Sequence, residues 1–211
     1  MYSGTSNAVY LGDVPSMAAF LPGLSDEERS DVQDVLLDAQ LFADRQFGFQ
    51  EQWSSWMHYY RNRLGARGLQ TAGLVLGDSL VVSSVQDLMT AAFRVSGLPG
   101  HDDLAEMVKR SFAAMGIFQA AEAYFLGGFD QGHLGSFQVV PCKRHGPDEI
   151  LILLCSLHVS TDTYSAGTRR LLFHFKGGSY VFSRKIYQAH RDEVVRYLGG
   201  RAQGLIRAIT V

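Results

Sequence analysis

The chain is poor in cysteine. Only Cys142 and Cys155 occur in 211 residues, too few for a secreted disulfide scaffold or, without histidine help, for a structural zinc site. It also lacks any long basic run. The 19 Lys and Arg stand against 21 Asp and Glu, a formal net charge of −2, so nothing here makes the electrostatic footprint of a nucleic-acid binder. No apolar stretch is long enough to span a bilayer. The opening residues Met1 to Ala8 have neither the basic n-region nor the apolar h-region of a secretory signal. The expectation is a protein made in the cytoplasm without a cleavable signal, either secreted by a non-Sec route or attached to a membrane. There is no N-terminal glycine acylation motif and no C-terminal prenylation box, so any lipid would sit on an internal cysteine. The seven histidines are scattered without metal-ligand spacing, and Gly127-Gly128 lacks the Lys-Ser/Thr of a phosphate loop. Neither a metal nor a nucleotide is expected.

What is present is apolar material, 46% of the chain against 19% charged residues. That is enough for the core of one domain over 1–211. Residues 1–24 are polar and punctuated by Gly and Pro, and read as a surface arm. Residues 25–126 read as mainly helical. Ser25 and Glu28 form a capping-box signature, followed by Val32, Val35, Leu36, Ala39 and Ala43 at helical spacing. Trp53, Trp56, Met57, Tyr60 and Leu64 share one face of a second helix over 50–64, most simply as core. Val85, Leu88, Met89, Ala92 and Phe93 suggest a third helix, and Leu104, Met107, Val108 and Phe112 a fourth. Residues 134–187 are rich in β-branched and aromatic types and read as strands. Gly177-Gly178 suits a two-residue hairpin turn, which would bring Phe173, Phe175, Tyr180 and Phe182 onto one face. A last helix is expected over 190–209. The fold class is α+β (α/β in the broad sense), a mainly antiparallel sheet in the C-terminal half covered by N-terminal helices, with complex topology.

Two constellations suggest chemistry. Cys142 ends the strand-like Ser136-Phe-Gln-Val-Val-Pro-Cys142, before the polar turn Lys143 to Asp148. A thiol at a strand end can be reached by a reagent or an acyl donor, whereas Cys155, inside the most apolar run, reads as a small buried hydrophobe. The plain alternative for Cys142 is a strand-end thiol with no role. Separately, Gly77-Asp-Ser79-Leu80 matches the nucleophile block of GDSL-type esterases, and Asp130-Gln-Gly-His133 matches their Asp-x-x-His block. Ser79 would be the nucleophile, His133 the base and Asp130 its orienter. Against this stand the short separation of Ser79 and His133, a strand-rich half that follows the histidine, and the absence of asparagine after Asn62 to supply a side-chain oxyanion donor. Gly-Asp-Ser is also an ordinary turn. His158 and His174 lie in expected strands and read as satisfied sheet residues.

Leu37-Asp-Ala-Gln-Leu41, the Trp-x-x-Trp-x-x-Tyr-Tyr of Trp53 to Tyr60, Leu64 and Gly68 come first in a longer pattern. Phe137-Gln-Val-Val-Pro-Cys142 and the strands Ile150–Leu154 and Arg169–Phe175 complete it. In this order, over residues 30 to 200, the chain resembles the Erwinia virulence factor (Evf)-like family. It departs from that pattern after Gly68, where Leu69 stands in place of a tryptophan. The resemblance implies a single α/β domain of unusual topology whose central cysteine, here Cys142, carries a palmitoyl thioester. It further implies a lipid or membrane partner, a host factor and a link to virulence, acting through reversible membrane association or acyl handling. Catalysis, if any, would be acyltransferase or thioesterase chemistry at Cys142. A non-enzymatic interaction protein is the remaining alternative.

Overall fold

The computed structural model describes residues 7–74, 79–91, 102–126, 135–162 and 169–209. Eight strands form one sheet: β1 (Ala8–Leu11), β2 (Ser16–Phe20), β3 (Gln70–Leu74), β4 (Leu80–Val82), β5 (Gly135–Arg144), β6 (Glu149–Asp162), β7 (Arg170–Ser183) and β8 (Ile206–Ile209). Their order is β3-β7-β6-β5-β2-β1-β8, with β4 pairing β7 beside β3. The β2–β5 pairing is parallel and the others are antiparallel. The α+β architecture expected from the pattern is therefore present. The long strands β5, β6 and β7 form its centre, within the span read as strand-rich.

Helices cover both faces, which explains why β5 and β6 read as nearly continuous apolar runs rather than alternating ones. Side chains at even positions of β5–β7 join one core with α1 (Asp26–Asp44), α2 (Trp53–Ala66) and α6 (Arg184–Leu198). Those at odd positions join a second core with α3 (Val85–Thr90), α4 (Asp102–Ala114) and α5 (Ile117–Phe125). The capping box is realised: the Glu28 N–H donates to Ser25 Oγ at 3.3 Å, and the Ser25 N–H donates to Glu28 Oε2 at 2.8 Å. The α2 stripe Trp53, Trp56, Met57, Tyr60 and Leu64 is buried as a unit.

Three expectations are corrected. Residues 8–20 are not a surface arm. They form β1 and β2, and β2 is buried throughout because it pairs with β5 in the middle of the sheet. Short, Gly/Pro-punctuated strands held by distant partners leave little local signal. Gly177-Gly178 is not a hairpin either. β7 runs straight through it, paired with β6 from Glu149↔Ser183 to Asp162↔Arg170. In a continuous strand, positions an odd number apart point to opposite faces. Phe173 and Phe175 therefore enter the α3–α5 core, while Tyr180 and Phe182 enter the α1–α2 core. The glycine answers a close approach instead: at Gly177, φ +148, a Cβ would lie 1.9 Å from the Leu154 carbonyl oxygen. Finally, α6 starts at Arg184, and the chain after α7 (Ala202–Leu205) is a strand, β8, that pairs with β1. Residues 92–93, assigned to the third helix, lie outside the described residues.

A polar seam fastens the helices to one another. Asp38 of α1, fully buried, accepts from Arg63 Nε at 2.7 Å, Arg63 Nη2 at 3.0 Å and Arg67 Nε at 3.1 Å. Arg67 also pairs with Glu193 of α6 at 2.7 Å. Two turns earlier on α1, Asp31 pairs with Arg191 at 3.0 Å. Burial, then the neighbouring Asp31 carboxylate, pushes the Asp34 carboxyl up to about 6.

Candidate functional site

Cys142 lies inside β5, not at its end. The strand continues to Arg144 beyond the proline, and Cys142 is flanked by Ile152 of β6 and Phe20 of β2. Its side chain points to the α1–α2 face and is fully buried, in the same apolar cluster as Trp56, Met57, Tyr60, Val140, Ile152, Leu154, Tyr180 and Phe182. The reachable strand-end thiol inferred from the sequence is thus corrected. The pairing of Lys143 and Arg144 with β6 carries the sulfur into the interior. Its hydrogen bond runs from Sγ to the Val140 carbonyl at 3.4 Å. Burial drives the thiol pKa far above its ordinary value, so the packed sulfur is neutral and no nucleophile. Cys155, on the opposite face, is buried as expected and is pushed up to about 12 by the same cause.

Polar groups also reach this interior. The Tyr60 hydroxyl, fully buried beside Gln138, makes no hydrogen bond of good geometry, and Gln138 Oε1 is likewise unpaired. Burial, with the nearness of Tyr180 and Cys142, raises the Tyr60 phenol above its ordinary value. The transverse row through Cys142 continues to Ile152, Tyr180 and Thr71 on β6, β7 and β3. It ends at an open cleft of about 550 Å³ lined by His58, Arg61, Asn62, Gly65, Thr71 and Tyr180. Arg61 Nε donates to the Tyr180 hydroxyl at 2.8 Å and closes the mouth of the row.

The expected esterase triad is not assembled among the described residues, since Asp130 and His133 lie outside them. Ser79 is described, and it faces a different imidazole. Its Oγ is 2.9 Å from His174 Nδ1. His174 stands directly across from His158, the two rings 6.2 Å apart and stacked, and His158 Nδ1 lies 2.9 Å from Ser136 Oγ. Both histidines are partnered sheet residues, as their strand positions suggested. Burial, then the neighbouring His174, lowers the His158 pKa below the ordinary imidazole value. The Ser136–His158–His174–Ser79 row escaped sequence reading because it exists only in the β5–β6–β7 register. The alternation Ser156, His158, Ser160 along β6 was its one visible trace.

The fold is a mixed sheet between two helical layers, with a thiol buried at the sheet–helix interface. No family model, curated protein or solved structure matches the chain. Among the described residues, no group of three or more His, Cys, Asp or Glu could hold a metal ion, and no helix is long and apolar enough to cross a membrane.

Proposed function

We propose that the protein carries a long-chain acyl group, palmitoyl in the first instance, as a thioester on Cys142. It would act by sheltering that chain or releasing it to a membrane. The observation that supports this reading most is the setting of the sulfur: fully buried, in the larger apolar cluster, on a row filled by Ile152 and Tyr180 whose far end borders the His58–Arg61 cleft. A thioester carries no charge, so an environment hostile to thiolate suits it. Three strand spacings, ~14 Å, separate β5 from β3, within reach of a palmitoyl chain laid under α2. Hiding about fifteen methylenes at ~0.8 kcal/mol each favours the sheltered state by on the order of 10 kcal/mol.

The same packing argues against turnover at Cys142, because a catalytic thiol needs access and a lowered pKa. A stably carried acyl group fits better than an acyltransferase or thioesterase intermediate. Acylation would occur while α2 is displaced. A single released chain anchors only marginally, and a net charge of −2 adds no basic second signal, so membrane attachment is reversible. The Evf-like resemblance points the same way and extends the proposal to virulence, a host factor and non-Sec export. Intact mass tests the core of it. Protein from its native source should exceed the sequence mass by ~238 Da, one palmitoyl group, and lose that excess in hydroxylamine. An unmodified mass would contradict it.

A further inference from the structure

We infer that Ser79 and His174 form a nucleophile–base pair that cleaves short-chain carboxylic esters on the open end of the sheet, at a site separate from Cys142. The argument begins with the geometry. Ser79 immediately precedes β4 and is exposed. Its Oγ is 2.9 Å from Nδ1 of His174, the contact that turns a hydroxyl into a nucleophile. The opposite nitrogen, Nε2, lies 3.4 Å from Ser160 Oγ. With its proton on Nε2 the imidazole donates to Ser160 and leaves Nδ1 free to accept from Ser79. Ser160 is then a positioning residue for the base. Stacked neighbours restrain the ring further: His158 packs on His174, and Trp53 packs on His158 at 5.6 Å. The Trp53 indole N–H is itself held by Ser156 Oγ at 2.8 Å.

Lys176, two residues along β7, lies over the Trp53 ring and bonds Ser54. Beside the pair is an apolar platform. Val81 pairs with Leu172 two residues along β4 and β7, and period-two alternation places both on the face of Ser79 and His174. Val81 is 49% exposed. A small acyl group can rest there while its carbonyl carbon meets Oγ. Such a shallow platform suits a short acyl chain rather than a palmitoyl one.

The chemistry closes without a further reactant. Ser79 Oγ bonds to the ester carbonyl carbon while Nδ1 takes its proton. The tetrahedral adduct collapses, the carbon–oxygen bond to the alcohol breaks, and the alcohol leaves with the proton from Nδ1. Water then gives a proton to Nδ1 and its oxygen attacks the seryl ester. Carboxylic acid departs, and Oγ recovers the proton.

The test uses the whole protein with p-nitrophenyl acetate and with a fluorophosphonate probe, followed by intact and peptide mass. One phosphonyl adduct on Ser79 is expected, absent in Ser79→Ala, and slower by about 100-fold or more in His174→Ala. The wild-type rate should rise with pH in one protonic step, and the step should vanish without His174. Ser160→Ala should slow labelling and displace that step while the melting temperature holds. Should His174→Ala fail to fold, His174→Gln and the wild-type pH profile carry the test. No adduct, an adduct that survives Ser79→Ala, or a rate indifferent to pH overturns the inference. Cys142→Ala should label like wild type, so this proposal and the acyl-cysteine one fail separately.

Discussion

Thiol reactivity in the native state follows directly from the packing. Cys142 is fully buried and Cys155 is 3% exposed, on opposite faces of the sheet. A disulfide reagent can attack either only when the structure opens, and only as thiolate. Burial holds Cys155 at about 12 and raises Cys142 further above its ordinary value, so the closed state contributes essentially nothing. The native rate is then the free-thiol rate multiplied by the opening constant. A domain of ordinary stability, about 5 kcal/mol or more, suppresses that rate by at least roughly 10³-fold if opening is global. A smaller but still large suppression, weakly dependent on urea, would mean that α2 lifts locally. That motion is what acylation of Cys142 requires. The assay is DTNB kinetics at pH 8 on Cys142→Ala and Cys155→Ala proteins, with glutathione as reference. Cys155 should lag glutathione by at least ~10³-fold, and Cys142 by a smaller but still large factor if α2 opens locally. Either thiol reacting within about tenfold of glutathione would refute the burial on which this reasoning stands.

Two further outcomes test the framework. Asp38→Asn leaves Arg67 buried with only the exposed Glu193 for charge; it should cost about 3 kcal/mol and lower Tm by roughly 6–12 °C in thermal unfolding, and a loss under about 1 kcal/mol would contradict the seam. Asp34, raised from 3.8 to about 6, binds its proton more tightly folded than unfolded. Its contribution to stability is full below 3.8 and is lost as pH rises through about 6. Urea titrations should show Asp34→Asn more stable than wild type at pH 7 by on the order of 1 kcal/mol, after allowance for its partial exposure, with the gain fading toward pH 4. A less stable variant at pH 7 would contradict that assignment.

Where side chains repeat with a local period, the fold was legible from sequence. The capping box at Ser25 and Glu28 and the Trp53–Leu64 stripe declare their helices because each signal spans a few turns. The apolar run Ile150–Cys155 declares a strand buried on both faces. What escaped depends on partners far along the chain. β2 belongs to the sheet centre only through β5, more than a hundred residues later, and nothing in Ser16–Phe20 announces that. The pair Gly177-Gly178 is ambiguous for a related reason. A turn and a close backbone approach both call for glycine, and the unbroken β6 pairing decides between them. For the candidate sites, residue type was readable and environment was not. Cys142 stood out as a cysteine, but its burial depends on two residues of strand beyond it. Ser79 stood out in its motif, but its described imidazole partner, His174, comes from sheet register.

Counting free thiols in denatured protein from its native source tests the central claim most directly. Acylation of Cys142 predicts one titratable thiol before hydroxylamine and two after, the new one mapping to the peptide that contains Cys142. Two thiols from the start, with nothing released by hydroxylamine, would contradict it.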